Sequence, residues 1–233
     1  MKIRNPGTHP RFWVVSFFLL FFFIGGSHCY AQDSVQTRII YPDGIVVHCF
    51  DGDTVKLMDR RIIRLAGIDA PELGKQGRKP QFYARKAKED LIQLARGKKV
   101  KLIIPGIVYR DNHGRIIADV LLDGDQSLNR MMIERGAAIF YPNQDLNPHF
   151  QEDLLNLQIE AIKERRGLWN TLLSMPIAND NYIGNKATLR FYPETCPEAQ
   201  NIKPRNRIHF GTLMDAFLAG FVPARICKFW PDA

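Results

Sequence analysis

"DGDTVKLMDRRIIRLAGIDAPE", residues 51–72, decides how this chain is read. Val55 and Leu57 alternate onto one face of a short run, Asp59 and Arg60 make a turn-like pair, and Ile62, Ile63 and Leu65 resume the strand pattern, so the stretch predicts a β-hairpin. Its charges collect at the strand ends: Asp51 and Asp53 before the first run, Arg64, Asp69 and Glu72 in and after the second. Charged groups at the end of a buried strand cost free energy unless something pairs with them. The groups that pair with Arg64, Asp69 and Glu72 therefore matter as much as the strands.

On the N-terminal side, "GIVVHCF" (44–50) is apolar and β-branched and adds a strand ahead of the hairpin. On the C-terminal side, Tyr83, Ala87, Leu91 and Leu94 form one apolar stripe in "QFYARKAKEDLIQLARG" (81–97), which predicts a helix stopped by Gly97. "KVKLII" and "RIIADVLL" read as two more strands around the polar loop "YRDNHGR". "SLNRMMIERG" reads as a short helix between Ser127 as N-cap and Gly136 as stop signal. A longer amphipathic helix follows over 149–167, with Phe150, Leu154, Leu157 and Ala161 on one face. Five short strands with three helices, one inserted after the third strand, predict a mixed α+β fold, mainly β, built on an OB-type barrel. Residues 171–182, "TLLSMPIANDNY", break periodicity and read as a linker, and 183–233 as a small C-terminal module with its own aromatics.

The chain has 233 residues, 45% of them hydrophobic, enough for a core and against wholesale disorder. Residues 1–31 read as an export signal: basic Lys2, Arg4 and Arg11, an apolar run from Phe12 to Ile24, and small Cys29 and Ala31 at a cleavage site. The run is shorter than the roughly 20 residues a membrane span needs, so an uncleaved anchor is the lesser alternative. Cleavage removes three basic and no acidic residues and takes the formal charge from +8 to +5. That excess suits a polyanionic partner, although solubility alone accounts for it equally well. The expected location is periplasmic or extracellular, with no stable membrane association after cleavage. Cys49 lies in an apolar run and is expected to be a buried thiol. Cys196 and Cys227 are the natural pair for an exported protein.

Taken together, the charged clusters suggest one chemistry. Carboxylates with backbone oxygens suit a hard cation such as Ca²⁺. Arg64 and Arg115 beside it match phosphate oxygens, and a further carboxylate would orient or deprotonate water. Taken singly, each cluster is more simply a turn, a salt-bridge partner or a hairpin tip. A second calcium pattern, Asp123, Asp125, Ser127, Asn129 and Glu134, has EF-hand spacing but puts Leu128 where glycine is required, so it reads as a turn before a capped helix.

In order and spacing, "DGDTVKL", "RLAGIDAPE", "DNHGR" and "SLNRMMIERGAA" closely resemble the staphylococcal nuclease (thermonuclease) family over about 44–169. The resemblance implies a Ca²⁺-dependent nuclease on an OB-type barrel, acting on DNA and RNA with a leaning to single strands. By motif match it implies Asp53, Asp69 and the backbone carbonyl of Ala70 as metal ligands, Glu72 as the base or orienter of water, and Arg64 and Arg115 as phosphate binders. His113 and Tyr141 are implied as nucleotide contacts. The alternative is a catalytically weak nucleic-acid-binding module on the same barrel; survival of all five charged positions favours the enzyme. The tail is similar to a small cysteine–histidine metal-binding module that follows such domains, but Ala224 stands where its first cysteine would be and Phe191 or Tyr192 where a histidine would be. A four-ligand zinc site is then incomplete, and a disulfide between Cys196 and Cys227 is the preferred expectation. Oligomeric state is left open.

Overall fold

The computed structural model describes residues 38–74, 77–227 and 229–231. The expected signal segment lies outside them. The elements run β1 (Arg38–Cys49), β2 (Thr54–Leu57), β3 (Ile62–Leu65), β4 (Ile68–Asp69), α1 (Ala84–Ala95), β5 (Lys99–Ile104), β6 (Ile116–Leu121), α2 (Leu128–Glu134), β7 (Ile139–Phe140), α3 (Pro148–Lys163), α4 (Leu168–Leu172), β8 (Tyr182–Asn185), β9 (Arg190–Pro193), β10 (Arg207–Phe210), α5 (Leu213–Leu218) and β11 (Val222–Pro223).

Five strands close a barrel in the order β1-β2-β3-β6-β5, as the OB-type reading expects. β1 belongs to both sides of the closure: its second half pairs with β2 and its first half with β5, both antiparallel. Register shifts along β1 let one strand bend through that corner. β3 and β6 run parallel and set Arg64 opposite Ile117. The interior is filled by the inward residues of each strand, among them Val46, Val55, Leu57, Ile63, Leu65, Leu102, Ile116 and Val120. The alternation read in residues 55–57 is therefore the barrel's own period.

α1 seals one side of the barrel with Ala87, Leu91 and Leu94. Ser127 caps α2, its hydroxyl accepting from Arg130 N at 3.2 Å. α2 carries the buried Asn129, whose Oδ1 accepts from Val120 N at 3.0 Å and whose Nδ2 donates to the carbonyls of Ala66 (2.8 Å) and Ala118 (3.0 Å). One side chain thus ties β6 to the turn after β3 through three backbone groups. On α3, Phe150, Leu154 and Ala161 are buried as expected and Ile162 joins them, but Gln158 is buried too while Leu157 is only half-buried. Gln158 accepts from Phe140 N at 2.8 Å and donates to the Phe217 carbonyl at 3.1 Å. An amide is kept in that core because it satisfies two backbone groups from separate elements.

The C-terminal part forms a four-stranded sheet, β10-β8-β9-β11, with α5 packed on it. Its core is aromatic: Phe217 meets Trp169 at 4.9 Å and Phe191 at 5.2 Å between ring centroids, edge to face. Trp169, at the end of the barrel region, is fully buried under the tail. Residues 171–182, expected as a linker, are packed: Leu172 and Tyr182 are buried, and Tyr182 Oη donates to the Ile177 carbonyl at 2.6 Å. The described residues accordingly make one compact unit. Cys196 and Cys227 are joined by a disulfide, and Cys49 is a buried free thiol pushed up to about 11 by desolvation. Among the described residues no helix is long and apolar enough to cross a membrane.

Replacing Asn129 by Ala removes three hydrogen bonds and strands buried backbone groups. Urea unfolding of Asn129→Ala is expected to show a loss of at least about 2 kcal/mol with an unchanged slope.

Candidate active site

The site begins at the turn between β1 and β2. Gly52 is needed there for space: a Cβ on it would stand 2.7 Å from Ala70 Cβ and 2.8 Å from Ala87 Cβ. The bare backbone lets the turn press against the β4 segment and α1 together. Asp51 and Asp53 flank this contact. Asp51 Oδ1 accepts from Asp53 N at 3.2 Å. The Asp53 carbonyl accepts from Leu65 N at 2.8 Å, which fixes its backbone to β3. Its carboxylate is buried and fully engaged: Oδ1 accepts from Thr54 Oγ1 at 2.9 Å and Oδ2 from Ala70 N at 2.7 Å.

Arg64 draws the second carboxylate to the first. Its Nη2 lies 3.1 Å from Asp53 Oδ2 and 2.8 Å from Asp69 Oδ1. Its Nη1 donates to the carbonyls of Leu65 (2.8 Å) and Ile68 (2.7 Å). The guanidinium is thereby fastened to the turn between β3 and β4. That turn is made by Gly67 at φ +71°, where a Cβ would also strike Leu154 Cδ1 at 2.6 Å. β4 pairs with β7, placing Asp69 opposite Ile139. Burial works against the Arg64 charge, but Asp53 and Asp69 outweigh it and hold the group above its ordinary value. Burial pushes the Asp69 carboxyl up, against the pull of Arg64 and with the added push of Asp53.

Arg115 reaches the same cluster from the start of β6. Its Nε donates to Asp111 Oδ2 at 2.6 Å, and its Nη1 donates to Thr54 Oγ1 at 3.4 Å, one hydrogen bond away from Asp53. Glu72 lies just past β4 with its side chain exposed. Its backbone is clasped to Gln81 in both directions, N to Oε1 at 2.7 Å and carbonyl to N at 2.9 Å. Glu72 and Asp69 line a cavity of about 750 Å³ that Tyr141 also lines. His113 lies elsewhere, exposed at the tip of the 110–115 hairpin, with its backbone N–H bonded to Asp111 Oδ1 at 2.9 Å. Tyr141 has Arg190 and Arg225 over its ring, at 4.3 and 5.6 Å from the centroid. The structure therefore brings Asp53, Arg64, Asp69, Ala70 and Arg115 into one connected network, sets Glu72 and Tyr141 on the adjoining cavity, and leaves His113 apart.

The donor set fits a hard divalent cation. Asp53, Asp69 and the Ala70 backbone offer oxygen only, which suits Ca²⁺ rather than a softer metal. Two features of the local charge agree. Arg64 already stands as a cation between the two carboxylates. Nearby Asp51 is pushed up to about 6, by burial first and then by the negative charge of Asp53. The tail offers a different set. Cys196, Glu198 and Cys227 bring their ligand atoms within 4.8 Å of one another, but sulfurs bonded to each other are not thiolate ligands.

The family model described as staphylococcal nuclease homologue matches residues 62–171. Over 136 residues the chain is 36% identical to an uncharacterized endonuclease of Escherichia coli, covering 57% of this chain and 80% of that protein. It is 32% identical over 120 residues to the probable endonuclease LCL3 of Komagataella phaffii, covering 49% of this chain and 51% of that one. Endonuclease YhcR of Bacillus subtilis is 24% identical over 213 residues, which span 77% of this chain and 16% of the relative. The barrel, its ordered charged motifs and these matches agree: the chain belongs to the staphylococcal nuclease family.

One residue at the site had no signal in the sequence. Arg225 Nη2 donates to Asp69 Oδ1 at 2.8 Å across a separation of 156 residues. It sits in "VPARIC", where nothing marks it as more than a surface charge. Gly52, by contrast, is testable from the sequence upward. Gly52→Ala is expected to lower stability by about 2 kcal/mol, since the added methyl overpacks two close contacts. A crystal structure of the variant should show the 51–53 turn moved away from Ala70.

Proposed function

We propose that the protein is a calcium-dependent nuclease that hydrolyses phosphodiester bonds in DNA and RNA, with unpaired strands preferred. The observation that carries this reading is the Arg64 bridge between Asp53 and Asp69, with Arg115 joined to the same cluster through Thr54. Asp53, Asp69 and the Ala70 carbonyl would hold the Ca²⁺, which when bound supplies positive charge to a phosphate oxygen and helps neutralise the transition state. Arg64 and Arg115 would stabilise charge on the equatorial oxygens of a phosphate held at that cluster. Glu72, exposed on the cavity beside Asp69, orients the attacking water and takes its proton. Attack on phosphorus opposite the 5′-oxygen breaks the P–O5′ bond and leaves a 3′-phosphate end.

Cleavage of single-stranded DNA is expected with Ca²⁺ and to cease with EDTA. Glu72→Gln is expected to lower kcat by about 10²- to 10⁴-fold while retaining substrate binding, and Arg64→Ala or Arg115→Ala by about 10²- to 10³-fold. Wild-type protein that shows no Ca²⁺-dependent cleavage would sink this reading.

Export to the periplasm or medium is part of the proposal. The Cys196–Cys227 disulfide supports it, since such bonds persist in oxidising compartments. Non-reducing peptide mapping of the protein recovered from the medium or periplasm is expected to join those two cysteines. Absence of the protein from both fractions would count against export, and recovery of both cysteines as free thiols would overturn the disulfide.

A further inference from the structure

The tail is built into the wall of the cavity that Glu72 faces. β11 runs parallel to β9, Ala224 N donates to the Phe191 carbonyl at 2.8 Å, and Cys227 is fixed to Cys196. Further on, the Pro231 carbonyl accepts from Phe82 N at 2.8 Å, next to the Gln81 that clasps Glu72. The described residues between 222 and 231 are thereby held at four points. Within this pinned segment Arg225 projects toward the barrel, bonded to Asp69 Oδ1 and lying over Tyr141, yet its side chain stays 65% exposed. Arg78 and Lys79 line the same cavity from the loop beyond Glu72, and Trp230 lines it from the tail. The cavity's volume is in the range of pockets that enclose small ligands, and it opens beside the proposed reacting phosphate.

Resting on the nuclease reading, we propose that the C-terminal module adds a substrate-positioning subsite, in which Arg225 grips a phosphate of the strand flanking the scissile bond and Tyr141 holds Arg225 in place. Three cationic side chains around an open cavity, with an aromatic at its rim, are the chemistry that tracks a single-stranded phosphate backbone. Arg225 suits the role because a guanidinium can turn two donors to phosphate oxygens while its face stays on the tyrosine ring. Arg190 reinforces the platform: it lies closer to the same ring, and its Nη1 is buried without a hydrogen-bond partner. The assignment revises the part expected of Tyr141. Its ring supports arginines, and base stacking on it is not required.

The test compares full-length wild type with Arg225→Ala, Arg225→Lys and Tyr141→Leu. Binding of a single-stranded oligonucleotide is followed by fluorescence anisotropy in EDTA over a salt series, and cleavage by steady-state kinetics in Ca²⁺. Arg225→Ala is expected to raise KM about tenfold with little change in kcat, and to reduce the slope of log affinity against log salt by about 0.7, the share of one phosphate contact on a single strand. Arg225→Lys should restore the slope but not the full affinity, and Tyr141→Leu should weaken binding in wild type but not in the Arg225→Ala background. An unchanged KM and salt slope in Arg225→Ala would overturn the subsite, and so would faster cleavage, which would make Arg225 a plug. A wild type that binds without cleaving would instead refute the nuclease reading, while the binding comparison would still decide the role of Arg225.

Discussion

The guanidinium of Arg64 stands between two carboxylates that come from different parts of the chain. Asp53 belongs to the turn before β2, and Asp69 to the short β4 segment beyond Gly67. Without a cation between them, two buried carboxylates at this spacing would repel, and one would have to take a proton. Arg64 meets that constraint while spending its remaining donors on the carbonyls of Leu65 and Ile68. The barrel serves this arrangement. The antiparallel pairing of Thr54 with Arg64 and the parallel pairing of β3 with β6 bring the DGDT turn, the RLAGID turn and the start of β6 to one end of the fold. The buried Asp53 carboxylate is costly to place, and both of its oxygens are paired.

The second dependence is on the tail. Phe140, next to the residue opposite Asp69, is held through Gln158 to Phe217 of α5. Trp169 is buried against the tail's aromatic core, and Phe82 is bonded to Pro231. The loop bearing Glu72 and the strand bearing Asp69 thus both rest on contacts made after residue 200. The tail belongs to the active-site end of the molecule in a way that a module on a free linker would not.

Much of this was legible in order along the chain. The alternation at Val55 and Leu57, the stripe of Ala87, Leu91 and Leu94, and the Ser127 cap each report a local physical preference that the fold obeys. The charged motifs were legible because each sits at the end of such an element. What was not legible depends on contacts with no local trace. Gln158 looks like a surface residue between Leu157 and Ile159, yet it is buried because two distant backbone groups need it. Residues 171–182 look like a linker because their buried side chains, Leu172 and Tyr182, are too widely spaced to make a period. Tyr141, expected at a nucleotide, lines the cavity and has two arginines over its ring, one of them in the last ten residues. Arg225 could be found only once the tail had been folded back onto Asp69.

Arg64 and Asp69 act as a pair in assembling the site. A double-mutant cycle on folding stability, measured in EDTA with Arg64→Ala, Asp69→Asn and the double variant, tests it most directly. A coupling of about 2 kcal/mol between the two positions is expected. Additivity to within about 0.5 kcal/mol would mean that the bridge is incidental, and would contradict it.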